Sequence, residues 1–239
     1  MSEKIDLPQI EIGGLIPFTT IDYPEKLAAV LFLNGCPFRC AYCSNPHLFE
    51  LRSGEYDPEK VFEWLKSRIG KLTAVVFSGG EALMQGDKAL DFMRAVKGLG
   101  FAVGLHTNGF YPEIMQRGLD TIDWVGLDIK TVSKNYKKLT GLAAYDKVMQ
   151  SCDILVKAGK PFEARITCDP RYVSIDDVKS LAADLAARGV ADFALQKYRP
   201  YDEPENAKTT EAERASFFND AELREYLKKI FKNVAFREN

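Results

Sequence analysis

Stretches of strand length alternate along this chain with stretches of helical period, and that alternation restricts the fold more than any other feature. Apolar runs that read as strands fall at 27–33, 74–77, 102–106, 124–129, 162–167 and 193–196, with a weaker one at 234–236. Between them, segments of helical period lie at about 58–69, 87–98, 145–158, 175–188 and 211–231. In the fourth of these Val178, Leu181, Ala182 and Leu185 recur at helical spacing, and Gly189 stops the helix. Strands alternating with helices imply parallel strands joined by crossover helices. Six or seven such units fall short of the eight that close a barrel. The expected fold is therefore α/β, a partial (open) parallel barrel of the (β/α)6, TIM-like type, with a flat doubly wound sheet as the alternative. No repeat, low-complexity tract or linker divides the chain, so residues 1–239 are expected to form a single domain. The stretch 198–210, rich in Pro and charge, reads as a long exposed loop.

A chain of 239 residues, 46% of them hydrophobic, can bury a large core without disulfides or a structural metal. Any clustering of its five cysteines therefore needs a chemical reason. Three of them crowd into eight positions, Cys36-Pro-Phe-Arg-Cys40-Ala-Tyr-Cys43, directly after the first strand. That is the end of the strand at which α/β barrels keep their functional groups. Structural zinc wants four protein ligands, and His47 is the available fourth, although without the paired-finger arrangement. A four-iron cluster held by three thiolates is the better match, because one iron stays open to a ligand. Cys152 and Cys168 stand alone in apolar contexts and read as small buried hydrophobes.

Strand periodicity points to the same end of the fold. Strands buried on both faces should be apolar on both. In Trp124-Val-Gly-Leu-Asp-Ile-Lys130, however, period two puts Val125, Leu127 and Ile129 on one face and Gly126, Asp128 and Lys130 on the other. Glu163, Arg165 and Thr167 likewise share a face, opposite Ala164, Ile166 and Cys168. Charged faces on two neighbouring strands imply a polar, ligand-filled interior, with a self-satisfied ion pair as the alternative. Two turns follow strands in the same way: Ser78-Gly79-Gly80-Glu81 after 74–77, where glycine lets backbone approach a ligand, and Thr107-Asn108-Gly109 after 102–106.

The cysteine spacing, with the aromatic Tyr42 before the last cysteine, resembles the signature of the radical S-adenosylmethionine superfamily. The runs Ile16-Pro-Phe-Thr-Thr-Ile-Asp-Tyr-Pro and Leu33-Asn-Gly-Cys-Pro-Phe-Arg-Cys-Ala-Tyr-Cys-Ser-Asn-Pro are similar to the anaerobic ribonucleoside-triphosphate reductase activating proteins, relatives of the pyruvate formate-lyase activating enzyme. The likeness extends from about Gly13 to about Pro200. It implies one 4Fe-4S cluster on Cys36, Cys40 and Cys43, whose open iron binds the methionine moiety of S-adenosyl-L-methionine. An electron from the cluster cleaves that cofactor to methionine and a 5′-deoxyadenosyl radical, and hydrogen abstraction follows. It further implies cofactor contacts at Tyr42, Gly79, Gly80, Glu81, Thr107, Asn108, Asp128, Lys130 and Arg165, with no catalytic residue separate from cluster and cofactor. His106 stands where several of these enzymes have Asp, which bears on any cation site that the Asp helps form. Ser44 and Glu25 replace a common His and a common Gly.

The leading reading is an activase that installs a glycyl radical on a large partner such as anaerobic ribonucleotide reductase. Flavodoxin or ferredoxin is then the expected electron donor. The alternatives are a radical enzyme acting on a small molecule, and a non-catalytic metal or redox scaffold. The net charge of -2 argues against nucleic-acid and anionic-lipid partners. The groups Lys134/Lys137/Lys138 and Lys228/Lys229/Lys232 read as solvated helix faces. The longest apolar run has seven residues, too few to span a bilayer, and Met-Ser-Glu-Lys-Ile-Asp is no signal peptide, so a cytoplasmic location is expected. The stripe Leu223, Leu227 and Ile230, with Phe217, Phe218 and Phe231 nearby, is expected to cap the barrel or face a partner.

Overall fold

Each apolar run and periodic segment becomes an element of the expected type in a computed structural model that describes residues 7–200 and 208–238. The chain divides into two compact units. The first comprises residues up to Pro37, Asn45–Thr107 and Tyr111–Val125; the second comprises Phe38–Ser44, Asn108–Phe110 and Gly126 onward.

In the first unit β1 (Ile12–Thr19), β2 (Ala28–Leu33), β3 (Ala74–Gly79) and β4 (Ala102–Thr107) lie side by side in chain order. β2 and β3 are parallel, in register from Ala28↔Ala74 to Leu33↔Gly79, and β3 and β4 are parallel from Ala74↔Ala102. Helices α1 (Pro58–Lys66), α2 (Gly86–Gly98) and α3 (Pro112–Gly118) complete it. α1 begins where Asp57 accepts from the Glu59 N–H and Pro58 supplies a preset first turn. Phe62 of α1 and Phe77 of β3 both meet Phe92 of α2 edge to face, at 6.0 and 6.3 Å, which seats the two helices on the sheet.

β5 (Trp124–Asp128) ends the first unit and begins the second. The second unit continues with α4 (Ser133–Thr140), α5 (Tyr145–Lys157), β6 (Phe162–Cys168), α6 (Ile175–Ala187), β7 (Asp192–Lys197), α7 (Glu211–Asn219), α8 (Ala221–Ile230) and β8 (Asn233–Arg237). β6, β7 and β8 are parallel and adjacent, paired Arg165↔Ala194 and Ala194↔Ala235. Ser174 and Asp177 form a reciprocal capping box at the start of α6. Cys152 and Cys168 are fully buried, as their apolar contexts indicate.

Five expectations need correction. β1 is an additional strand, antiparallel to β2, with register shifts at its two glycines and past Pro17. Those residues disfavour strands and hid it. The short helices α3 and α4 were not anticipated, because neither carries enough apolar residues to show a period. The segment 211–231 is two helices, since the Asp220 carboxylate accepts from the Leu223 N–H and restarts the helix there. Of the supposed exposed loop, residues 201–207 lie outside the described residues, and Tyr198 is buried. Leu223, Leu227, Phe217, Phe218 and Phe231 are buried in the second unit, with Phe231 stacked on Phe193 at 4.7 Å, so the stripe is core.

Glu25, in the turn between β1 and β2, takes φ 62, the left-handed region that glycine favours. It is the sole non-glycine there among the described residues.

Candidate functional site

None of the three clustered cysteines is in a disulfide, and the cluster follows β2 directly. In the first unit Gly35 and Cys36 donate their N–H groups to the carbonyls of Leu48 and Phe49, at 2.9 and 3.0 Å. In the second unit the Arg39 N–H donates to Thr140 O at 2.8 Å and the Ala41 N–H to Leu139 O at 3.1 Å. Those are carbonyls at the end of α4, which a helix leaves without partners of its own. Phe38, fully buried, meets Phe110 and Tyr136 edge to face, and the Cys43 N–H closes a turn onto Cys40 O. The cysteine loop is thus positioned by main-chain bonds and one phenyl anchor.

The remaining first-unit candidates form a tight corner. Glu81 is 1% exposed, and its Oε1 accepts from the Leu83 N–H at 3.0 Å and the Thr107 hydroxyl at 2.8 Å. Glu81 therefore starts a short 3-10 helix and ties the glycine turn to the end of β4. The Gly80 N–H donates to Leu33 O and the Glu81 N–H to Gly35 O. A Cβ on Gly80 would stand 2.8 Å from Leu48 O and closer still to Gly35 O, and one on Gly79 would meet the Leu33 backbone. The close approach that these glycines permit is accordingly to the strand bearing the cysteines. His106 donates through Nε2 to Asp22 O at 2.7 Å and meets Trp124 edge to face, so it holds the β1–β2 turn. His47 is exposed on the surface.

In the second unit Asp128, Lys130 and Arg165 come together. Arg165 Nε donates to Asp128 Oδ1 at 2.8 Å and Nη2 to Gly126 O at 3.2 Å, while Lys130 Nζ stands 3.3 Å from Asp128 Oδ2. Gly126 is a glycine for a local reason: a Cβ there would overlap the Arg165 guanidinium. The Arg165 side chain is 8% exposed and that of Asp128 30%, so the carboxylate is the open member of the array. Burial alone would lower the Lys130 pKa, but Asp128 and the nearby Cys40 hold it above the usual lysine range. Burial pushes the Cys40 thiol up to about 11, with the Lys130 ammonium opposing. The Tyr42 hydroxyl lies 3.4 Å from Lys130 O, and burial, with Cys40 and Asp128 nearby, raises its pKa well above the ordinary value. Asn108 Oδ1 accepts from the Phe110 N–H, shaping the turn after β4. Glu163 is paired instead with Arg237, at 2.7 Å, away from this array.

The sequence reading did not single out Tyr136, buried beneath Lys130 with its hydroxyl 3.4 Å from the Lys130 N–H, or Tyr198, whose ring lies 5.9 Å from that of Tyr42. A lone aromatic among the lysines of 133–140 was a usable signal for the first; the second had none. Among the described residues no three His, Cys, Asp or Glu side chains are gathered as a ready metal site. The donor set nevertheless fits an iron–sulfur cluster: three thiols on one loop, none of them in a disulfide, with a lysine ammonium beside Cys40 to offset thiolate charge.

Comparison with known proteins settles the family. The model of the radical SAM superfamily matches residues 30–185, which include all three cysteines and every strand from β3 to β6. The chain belongs to the radical SAM superfamily. A Methanocaldococcus jannaschii protein assigned as a glycyl-radical enzyme activating enzyme is 29% identical over 95% of each chain. The pyruvate formate-lyase-activating enzyme of Streptococcus mutans is 24% identical over 74% of this chain and 73% of its own. The pyruvate formate-lyase 1-activating enzyme of Escherichia coli K12 is 31% identical over about half of each. Among solved structures, Streptococcus suis SuiB bound to S-adenosylmethionine superposes with TM-score 0.63 at 16% identity, covering 88% of this chain and 46% of SuiB. The protein anSMEcpe with bound AdoMet gives TM-score 0.66 at 16% identity, covering 84% of this chain and 61% of its own. This chain therefore spans between about half and three-fifths of these two solved structures. The likeness gives the fold, α/β of the open, partial parallel-barrel type, as the alternation of strands and helices led us to expect.

Proposed function

We propose that this radical SAM protein is a glycyl-radical activating enzyme, acting as one domain over residues 1–239, with anaerobic ribonucleoside-triphosphate reductase as its partner. The observation that carries the reading is the loop of three cysteines held outside any disulfide, fixed by backbone bonds at both ends, with Cys40 beside the Asp128–Lys130–Arg165 array. The names of the Methanocaldococcus, Streptococcus and Escherichia relatives support the activase class.

Cys36, Cys40 and Cys43 would hold a 4Fe-4S cluster. Together with S-adenosyl-L-methionine, it supplies reductive cleavage of the sulfonium bond and hydrogen-atom abstraction. Cys40 must give up its proton to serve as a ligand, and Lys130, held charged, offsets the resulting negative charge. Arg165 and Lys130 offer cations to the cofactor's carboxylate, while Asp128, the open member of the array, accepts from its hydroxyl or ammonium groups. The Gly79 and Gly80 carbonyls would accept from the ammonium, with Glu81 and Thr107 bracing that turn and Asn108 shaping the next. Tyr42, kept protonated by burial, closes one side as an aromatic wall. Flavodoxin or ferredoxin would provide the electron. No helix among the described residues is long and apolar enough to cross a membrane, in keeping with a cytoplasmic site of action.

The test is anaerobic reconstitution with iron and sulfide, followed by assay of S-adenosylmethionine cleavage and electron paramagnetic resonance of the reductase mixed with the enzyme. Cleavage lost in Cys40→Ala, with a glycyl doublet on the reductase, is the expected result. Cleavage without the doublet would move the substrate to a small molecule. A bound cluster with no cleavage, reductase present, would overturn the reading.

A further inference from the structure

Around the cysteine loop the charge departs from that of the whole chain. The protein carries a net charge of -2, yet residues 129–145 hold four lysines and no carboxylate, and residues 38–44 hold Arg39 and no carboxylate. The two segments adjoin, because the last carbonyls of α4 accept from Arg39 and Ala41. Gly141 ends α4 at φ 83, and a Cβ there would lie 3.9 Å from that of Arg39.

The four surface cations are not equivalent. Lys134 is largely offset by Asp177, 2.7 Å away. Lys138 lies over the Tyr172 ring at 5.3 Å, and Arg39 folds back onto Phe38 O. Lys137 is exposed, and its ammonium makes no hydrogen bond or ion pair with any described residue. Lys130 is withdrawn into the array with Asp128. Lys137 and Lys138 near the end of α4, and Arg39 on the loop that donates to that end, are thus exposed cations of this surface, and Arg39 is one residue in sequence from Cys40.

We propose that this surface is the docking site for an acidic one-electron carrier protein. The carrier would lose one electron to the cluster and the cluster would gain it, with no proton transferred. The inference rests on the reading that the loop holds a reducible cluster. A carrier must bind, hand over its electron and leave, which calls for a small interface and for charge that speeds encounter more than it tightens the complex. Three exposed cations on an acidic protein fit that demand. They are too few for a phosphate polymer, which needs an extended basic surface.

The test uses the reconstituted holoenzyme with flavodoxin hydroquinone as the probe, and photoreduced deazariboflavin as a small neutral donor. Cluster bleaching is followed by stopped flow across a range of salt. Complex formation with oxidised flavodoxin is titrated in parallel by calorimetry. For the wild type, the flavodoxin rate should fall as salt rises. Lys137→Glu/Lys138→Glu should slow it about tenfold at low salt and weaken complex formation, with Lys137→Gln/Lys138→Gln between the two. Reduction by deazariboflavin should be the same in all three. Equal flavodoxin rates and equal salt dependence in wild type and the Glu pair would overturn the proposal. So would normal flavodoxin reduction with loss of radical installation alone, which would give the surface to the glycyl-radical partner. If neither donor bleaches the wild-type cluster, the cluster reading itself fails, and the proposal with it.

Discussion

Adding one methyl group at Gly126 tests whether the array beside the cysteine loop is built as described. A Cβ there would lie 2.7 Å from Arg165 Nη1 and nearer still to Cζ and Nη2, inside any real carbon–nitrogen contact. The neighbour that must yield is a guanidinium only 8% exposed, with little room to move. Displacing it breaks or stretches the bonds to Asp128 and to Gly126 O. Hydrogen bonds to charged groups contribute roughly 1.5–3 kcal/mol each, and stranding one partner of a buried pair costs about 3–5 kcal/mol. Against this, alanine restricts the unfolded chain and recovers about 0.4–1 kcal/mol, since Gly126 does not take a left-handed φ. The expected net loss for Gly126→Ala is about 2–4 kcal/mol. In a chain of this length that lowers the melting temperature by roughly 4–16 °C. The assay is a double-mutant cycle by urea denaturation under anaerobic conditions. In an Arg165→Ala background the obstruction is gone, and Gly126→Ala should become neutral or slightly stabilising. An equal cost in both backgrounds would refute the account of Gly126 as the seat of the guanidinium.

Three further outcomes are expected. Glu25→Gly relieves a left-handed residue at an exposed turn and should raise stability by about 1 kcal/mol, read as an upward shift of the denaturation midpoint. Thr107→Val leaves the buried Glu81 carboxylate one donor short and should cost about 1–3 kcal/mol by the same measurement. Burial raises the Asp177 pKa, but the hydrogen bond from Lys134 and those from Ser174 outweigh it and hold the pKa below the ordinary value. Its folded pKa being depressed, Asp177 contributes stability above the unfolded value of about 3.9 and loses it as pH falls through the folded one. Acid titration should therefore destabilise the wild type more than Asp177→Asn below about pH 4.

The sequence announced the parallel strands and five of the helical segments, because buried parallel strands are apolar on both faces and long amphipathic helices repeat their pattern several times. It was silent where pattern is short or composition misleads. β1 carries Gly13, Gly14 and Pro17, and α4 has just two buried apolar residues, Tyr136 and Leu139, among its lysines. The site divides the same way. Spacing alone exposed the three cysteines, and period two exposed Asp128, Lys130 and Arg165. No sequence rule could tie Glu81 to Thr107, or turn Gly79 and Gly80 toward Leu33 and Gly35, since those contacts join residues far apart in the chain.

The cysteine loop leans on carbonyl oxygens that every residue possesses. No substitution in α4 short of breaking the helix can delete such an acceptor, whereas a side-chain brace would vanish with one codon. The outward residues of α4 can therefore drift, exchanging one sign of charge for another, while the thiols below them keep their places. A helix fastened in this way lets natural selection rewrite what the protein meets without rewriting what it holds.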